Sequence, residues 1–188
     1  MHADSWAIKA KKLGYRSRAV FKLEEILNKL HKKKSLKNIL DLGSAPGGWS
    51  QYISVNYPST NIIAIDVLDM QPIEKVKFIK DSIENIENID EIKAIKGRFD
   101  LVISDIAPNL TGIKTVDDEN ILELNLLSVN IADKYLTDQN AAVVIKTFQN
   151  NNLKSLRKHM ELFFKIVQTY KPAASKNKSA EIYLYGAR

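Results

Sequence analysis

Leu40-Asp-Leu-Gly-Ser-Ala-Pro-Gly-Gly-Trp-Ser50 is the stretch whose residue types and spacing point most directly to chemistry. An apolar run ends at Asp41 and Leu42, a glycine-rich turn follows, and a helical pattern opens near Gly47. Glycine lets a backbone pass close to a ligand where a Cβ would clash. Open α/β sheets bind ligands at the carboxyl ends of their strands. Gly43, Gly47 and Gly48 are therefore candidate cofactor contacts. The spacing Gly43-x-x-x-Gly47-Gly48, with Pro46 inside, is not the G-x-G-x-x-G of dinucleotide enzymes. The turn also lacks the Lys and Ser/Thr of a phosphate-binding P-loop. Three acids follow at later strand ends. Asp66 is placed to accept hydrogen bonds from ribose hydroxyls, Asp81 to take an adenine amino group, and Asp105 to lie near the rest of an adenosine cofactor. A single Asp at a strand end is more often a turn or helix cap. Three at successive strand ends converge on one crevice.

The elements that must hold these residues alternate along the chain. Strand-like runs occur at Asn38–Leu42, Asn61–Ile65, Val76–Ile79, Phe99–Ser104, Ala141–Ile145, Phe164–Thr169 and Ile182–Tyr185. Helical patterns fill most gaps, at Trp49–Val55, Ile83–Ile95, Glu119–Leu136 and Asn152–Phe163. Ahead of them Ala19, Val20, Leu23, Ile26, Leu27 and Leu30 recur at helical spacing, which predicts an amphipathic helix from Ser17 to about Lys29. Alternation of this kind predicts an α/β fold: a Rossmann-like, seven-stranded, mostly parallel sheet with helices on both faces. Only residues 171–179 join the last two runs, so an antiparallel terminal strand is expected. Such a sheet is the usual plan of Rossmann-like methyltransferases.

Composition narrows the class. With 188 residues, of which 45% are hydrophobic, the chain suits a single domain spanning residues 1–188. No apolar run approaches the ~20 residues of a membrane helix. Cysteine is absent, which excludes disulfides and fits a reducing intracellular compartment. His2, His31 and His159 have no metal-ligand spacing, so no metal is expected. No secretory signal or organellar presequence is legible. The net charge of +6 hides a pattern. Residues 1–34 carry ten Lys/Arg against three acids, residues 35–153 ten against seventeen, and residues 154–178 seven against one. Two basic ends around an acidic centre suggest a polyanion held at two edges of the molecule.

Six blocks then carry a family resemblance. They are Gly14-Tyr-Arg-Ser-Arg-Ala-Val-Phe-Lys-Leu-Glu-Glu-Ile26, Asp41-Leu-Gly-Ser-Ala-Pro-Gly-Gly-Trp-Ser-Gln51, Ser104-Asp-Ile-Ala-Pro-Asn-Leu-Thr-Gly112, Val144-Ile-Lys-Thr-Phe-Gln149, Lys171-Pro-Ala-Ala-Ser175 and Ser179-Ala-Glu-Ile-Tyr183. In this order they resemble the FtsJ-like 2′-O-ribose RNA methyltransferases, whose bacterial and mitochondrial members modify large-subunit ribosomal RNA. The resemblance implies S-adenosylmethionine as cofactor and S-adenosylhomocysteine as product. It implies a Lys-Asp-Lys-Glu tetrad of Lys22, Asp105, Lys146 and Glu181, and cofactor contacts from Gly47, Trp49, Asp66, Asp81 and Asp105. The expected substrate is a uridine of large-subunit ribosomal RNA, free or in a pre-ribosomal particle, with tRNA as the alternative, and the expected enzyme is a monomer. Such an enzyme would be cytoplasmic in a bacterium and mitochondrial, or in another organelle, in a eukaryote. A departure from the family is Asp138-Gln-Asn140 in place of a Pro-Gly-Gly turn; Asn can supply positive φ there.

Chemical logic accompanies the tetrad. A ribose hydroxyl is a poor nucleophile at neutral pH and needs a group to take its proton. Lys146, expected at the end of an apolar strand, would be that group, and Lys22 a second cation that lowers its basicity and steadies the alkoxide. Asp105 would orient Lys146, and Glu181 would hold Lys22 or the ribose. The basic N-terminal helical region, residues 1–34, is expected to serve both RNA binding and catalysis. Phosphate contacts are expected from Lys9, Lys11, Lys12, Arg16 and Arg18 on one side and Lys171, Lys176 and Lys178 on the other.

Overall fold

β-Branched and apolar runs assemble into a seven-stranded sheet of order β3-β2-β1-β4-β5-β7-β6. The strands are β1 (Asn38–Leu42), β2 (Asn61–Asp66), β3 (Val76–Lys80), β4 (Leu101–Ser104), β5 (Ala142–Phe148), β6 (Ile166–Tyr170) and β7 (Glu181–Ala187). The helices are α1 (Ser5–Lys12), α2 (Ala19–Leu30), α3 (Gly48–Asn56), α4 (Asp90–Lys93), α5 (Lys114–Tyr135) and α6 (Leu153–Met160). The structure is a computed structural model that describes residues 5–31, 36–176 and 179–188. The pairs β1–β2, β2–β3, β1–β4 and β4–β5 are parallel, whereas β7 runs antiparallel to both β5 and β6. No helix among the described residues is long and apolar enough to cross a membrane.

Two apolar layers sandwich the sheet. Leu40, Leu42, Val102, Val143 and Ile145 face α5, α6 and the segment 83–92. Ile39, Leu101, Ile103, Ala142, Val144 and Tyr183 face α2 and α3 on the opposite side. This split follows from the two-residue period of strands. The parallel order reverses between β1 and β4, so the crevice outside their carboxyl ends is where a ligand is expected.

Three expectations are corrected. Ile83–Ile95 is not one α-helix but a 3₁₀ turn, Ile83–Asn88, followed by the single turn of α4. Ile83, Ile86, Ile89 and Ile92, all buried, recur every three residues, which matches the 3₁₀ period rather than 3.6. α5 starts at Lys114, five residues before the expected Glu119, because Asp117 holds the entry turn by accepting from Thr111 N (2.7 Å), Thr111 Oγ1 (2.8 Å) and Gly112 N (3.2 Å). β5 continues through Lys146 to Phe148, paired all along with β7. Last in sequence, β7 lies inside the sheet, and the largely exposed β6 takes the edge. Asn140 does adopt a positive φ, 59°, in the turn before β5.

Candidate active site

The period of the strands explains how distant residues meet. Asp105 continues the parity of Leu101 and Ile103, Lys146 that of Ala142 and Val144, and Glu181 that of Tyr183 and Tyr185. All three therefore project to the face covered by α2. Lys22 comes from α2 itself, on the stripe that buries Leu23 and Ile26. The four residues proposed as a tetrad from sequence are thus brought together as two ion pairs. Lys22 Nζ lies 2.6 Å from Glu181 Oε1, with the side chains 8% and 15% exposed. Lys146 Nζ lies 3.2 Å from Asp105 Oδ1, at 10% and 26%, and also donates to the Asp105 carbonyl.

Each lysine therefore has its own carboxylate. The set holds two cations and two anions, with Asp105 on Lys146 and Glu181 on Lys22, because both acids lie on the same face as the lysines. Tyr183, which sequence reasoning passed over, bridges the set. Its hydroxyl donates to Asp105 Oδ1 at 3.2 Å, and its ring lies 5.8 Å from Lys22 Nζ. Burial, with the negative charges of Asp105 and Glu181 added, pushes this phenol well above its ordinary pKa, so it remains a donor. Burial pushes the Glu181 carboxyl up, but Lys22, Ser175 and Lys146 outweigh it and hold it below its ordinary value. Ser175 contributes a hydrogen bond to Glu181 Oε1 at 2.9 Å. The signal available for Tyr183 was its position two residues after Glu181, hence on the same face of one strand.

Beside the set lies a cleft of about 420 Å³. Gly43, Asp66, Asp81 and Asp105 line it together, with apolar walls from Val67, Leu68, Ile83 and Ile106. Asp66 Oδ2 accepts from Ala45 N at 2.8 Å and Oδ1 from Leu68 N at 2.8 Å, which shapes both rims. Asp81 Oδ1 accepts from Ser82 N and Asn85 Nδ2 at 2.7 and 2.8 Å, so it caps a turn and borders the cleft at once.

Gly43 has φ +69°, and a Cβ there would fall 2.1 Å from Ile106 Cγ1. Gly47 has φ +100°, and its Cβ would meet Ile73, Met70 and Arg16. Glycine at both places is demanded by the protein's own close packing. Gly47 is absent from the cleft lining, while Gly48 and Trp49 border a small neighbouring hollow. Trp49 is buried, donates to Ala19 O at 2.9 Å and packs on Tyr183 at 5.8 Å.

That hollow lies under the glycine-rich turn and is also framed by Asp41, Ser44 and Asp105. Asp41 Oδ1 and Ser44 Oγ are buried with no hydrogen-bond partner among the described residues. Burial raises the Asp41 carboxyl to about 7, against the hydrogen bond from Ser50, with the charges of Asp105 and Asp66 adding to the rise. The S-adenosylmethionine implied by the resemblance fits this donor set. Carboxylates suit hydroxyl and amino donors and a positive sulfonium, the apolar walls suit a purine, and among the described residues no Lys or Arg lines the cleft to hold a pyrophosphate.

The basic residues are distributed as follows. Lys11, Lys12 and Lys176 are exposed. Lys9 Nζ sits 4.6 Å over the ring of Phe21. Arg18 is half-buried. Lys171 Nζ donates to Ser179 O at 2.8 Å. Lys178 lies outside the described residues. Arg16 departs from expectation: its guanidinium donates to the carbonyls of Pro46, Gln71 and Pro72, because segment 14–16 lies against the glycine-rich turn rather than in open solvent. Glu25, unnoticed in the sequence, joins the two basic regions, since Oε2 on α2 accepts from Ala173 N at 2.8 Å and Oε1 accepts from the Tyr170 hydroxyl.

Residues 15–188 match the family model described as FtsJ-like methyltransferase. A ribosomal RNA large subunit methyltransferase E of Wigglesworthia glossinidia brevipalpis is 38% identical over 184 residues, covering 97% of this chain and 90% of that protein. The protein of the same name from Ehrlichia chaffeensis is 39% identical over 186 residues, covering 97% and 87%. A solved ribosomal RNA methyltransferase of Plasmodium falciparum superposes with a TM-score of 0.78 at 33% identity, covering 93% of this chain and 98% of that one. Human methyltransferase-like protein 13, at 14% identity and a TM-score of 0.58, covers 90% and 77% and shares the fold. With its match running from Tyr15 to the last residue, through both ion pairs and the glycine-rich turn, the chain belongs to the FtsJ-like methyltransferase family.

Proposed function

We propose that this protein methylates a ribose 2′-hydroxyl of RNA, with a uridine of large-subunit ribosomal RNA as target and S-adenosylmethionine as methyl source. The observation that carries the reading is the pair of lysine–carboxylate contacts, Lys146–Asp105 and Lys22–Glu181, on the rim of a cleft whose chemistry suits that cofactor. The names of the relatives support the ribosomal target.

When bound, S-adenosylmethionine supplies an electrophilic methyl group on a sulfonium. The chain's residues must orient the ribose hydroxyl and take its proton. Lys146 is the group to accept that proton, and Asp105 aims it through two contacts. Lys22 provides fixed positive charge for the developing alkoxide. Glu181 and Ser175 hold Lys22 in place, and Tyr183 holds Asp105. Lys9, Lys11, Lys12 and Arg18 on one side, with Lys171 and Lys176 on the other, contact phosphates and position the strand without reading its sequence. Residues 1–188 act as one methyltransferase domain, to which the basic N-terminal region contributes both RNA contacts and Lys22.

The test is methyl transfer to large-subunit ribosomal RNA and tRNA transcripts side by side, with mass mapping of the modified nucleotide. A 2′-O-methyluridine in ribosomal RNA is the expected product. Exclusive labelling of tRNA would replace the target, and methylation of a base would refute the ribose assignment.

A further inference from the structure

Arg16 lies where the basic N-terminal segment meets the glycine-rich turn, and all three of its side-chain acceptors are carbonyls. Nη1 donates to Gln71 O at 2.6 Å and to Pro46 O at 3.2 Å, and Nη2 donates to Pro72 O at 2.7 Å. One guanidinium thus ties two separate loops, the turn after β1 and the loop after β2. Its own backbone N–H donates to Gln51 Oε1 at 3.0 Å, and Gln51 Nε2 donates back to Gly14 O at 2.9 Å. Segment 14–16 is therefore fastened to α3 in both directions.

Both tied loops are walls of the cofactor cleft. The first carries Gly43 and Ala45, and the second begins with Asp66, Val67 and Leu68. The junction is tight. A Cβ on Gly47 would lie 2.6 Å from Ile73 Cδ1, 2.9 Å from Met70 Sδ and 3.1 Å from Arg16 Nη1. A planar fork of fixed donors suits three carbonyls at set angles, which the single ammonium of lysine cannot reproduce. A side chain offered to phosphate would instead present its fork outward.

We propose that Arg16 is a positioning residue for the cofactor cleft, a clamp that holds the turn 43–48 against the loop 66–73, and not a phosphate contact. The inference rests on the S-adenosylmethionine reading of that cleft.

The experiment compares the full chain with R16K and R16M by calorimetric titration of S-adenosylhomocysteine. In both variants Kd rises about tenfold, and KM for S-adenosylmethionine rises alongside while kcat stays within about twofold. R16K retains the charge, so a phosphate contact would leave it close to wild type. Binding of a large-subunit ribosomal RNA fragment, measured against salt, keeps its slope in both variants. Wild-type affinity for S-adenosylhomocysteine in R16K and R16M would overturn the clamp. So would a slope shallower by nearly one unit in R16M. A wild-type protein that does not bind S-adenosylhomocysteine would instead refute the cofactor reading itself.

Discussion

The Tyr183 hydroxyl donates to Asp105 Oδ1 at 3.2 Å, and Lys146 Nζ meets the same oxygen at the same distance. One carboxylate oxygen is thereby shared between a phenol that stays protonated and the amine proposed to take the substrate's proton. The phenol fixes the acid, and the acid fixes the amine. The position of the Lys146 amine, and with it the role proposed for it, therefore depends on a residue that need not touch substrate.

Replacing Tyr183 by Phe is the direct probe. The ring remains to pack on Trp49, so the fold is retained, at a stability cost of about 1–2 kcal/mol for the lost hydrogen bond. Methylation is expected to slow by about tenfold in kcat, with the affinity for S-adenosylhomocysteine unchanged. Steady-state kinetics with parallel calorimetry would check it. A fall in cofactor affinity at constant kcat would contradict a role exerted through Asp105.

Lys146→Ala is expected to abolish methyl transfer while leaving cofactor affinity nearly intact. The side chain touches Asp105 but is not among the residues lining the cleft. Single-turnover assays and calorimetry separate the two effects, and loss of cofactor binding would refute the assigned role.

Glu181→Gln leaves the buried Lys22 ammonium without its countercharge, and a loss of about 3 kcal/mol is expected at neutral pH. The sign with pH follows from a carboxyl held below its ordinary 4.5 in the folded state. Its contribution is fully present above pH 4.5 and is lost as pH falls through the lower folded value. Thermal melts should therefore show a constant gap between wild type and variant from pH 5 upward that narrows in stronger acid. A gap that widens on acidification would show that the carboxylate is not stabilised by Lys22.

Lys11 and Lys12 are exposed on α1 and free to meet phosphates. Changing both to Ala should weaken binding of ribosomal RNA fragments and flatten the log K against log salt plot by about 1.4–1.8 units, two contacts at about 0.7–0.9 each. The cofactor Kd in the absence of RNA should not move. An unchanged salt slope would remove α1 from the RNA surface.

Much of this protein is legible along the chain. The alternation of strands and helices, the glycine-rich turn and acids at successive strand ends define a doubly wound sheet with a cofactor crevice, since each depends on local spacing. Lys22, Asp105, Lys146 and Glu181 could be named together through family resemblance, and strand period then accounts for three of them sharing a face. Tertiary structure decided the rest, because it depends on which segments become neighbours. The isoleucines at 83, 86, 89 and 92 suited one buried helix, and only packing shows a 3₁₀ turn at Ile83–Asn88 followed by the separate turn of α4. β7 enters the sheet between β5 and β6, which sets Tyr183 opposite Lys146 and Glu181 opposite Phe148. Only that insertion brings Glu181 within reach of Lys22, 159 residues earlier in the chain. Arg16 shows the same limit most plainly. In sequence it is one more basic residue of a basic arm; in the fold its guanidinium is spent on three carbonyls, because hydrogen-bonding groups answer to their spatial neighbours and not to the composition around them.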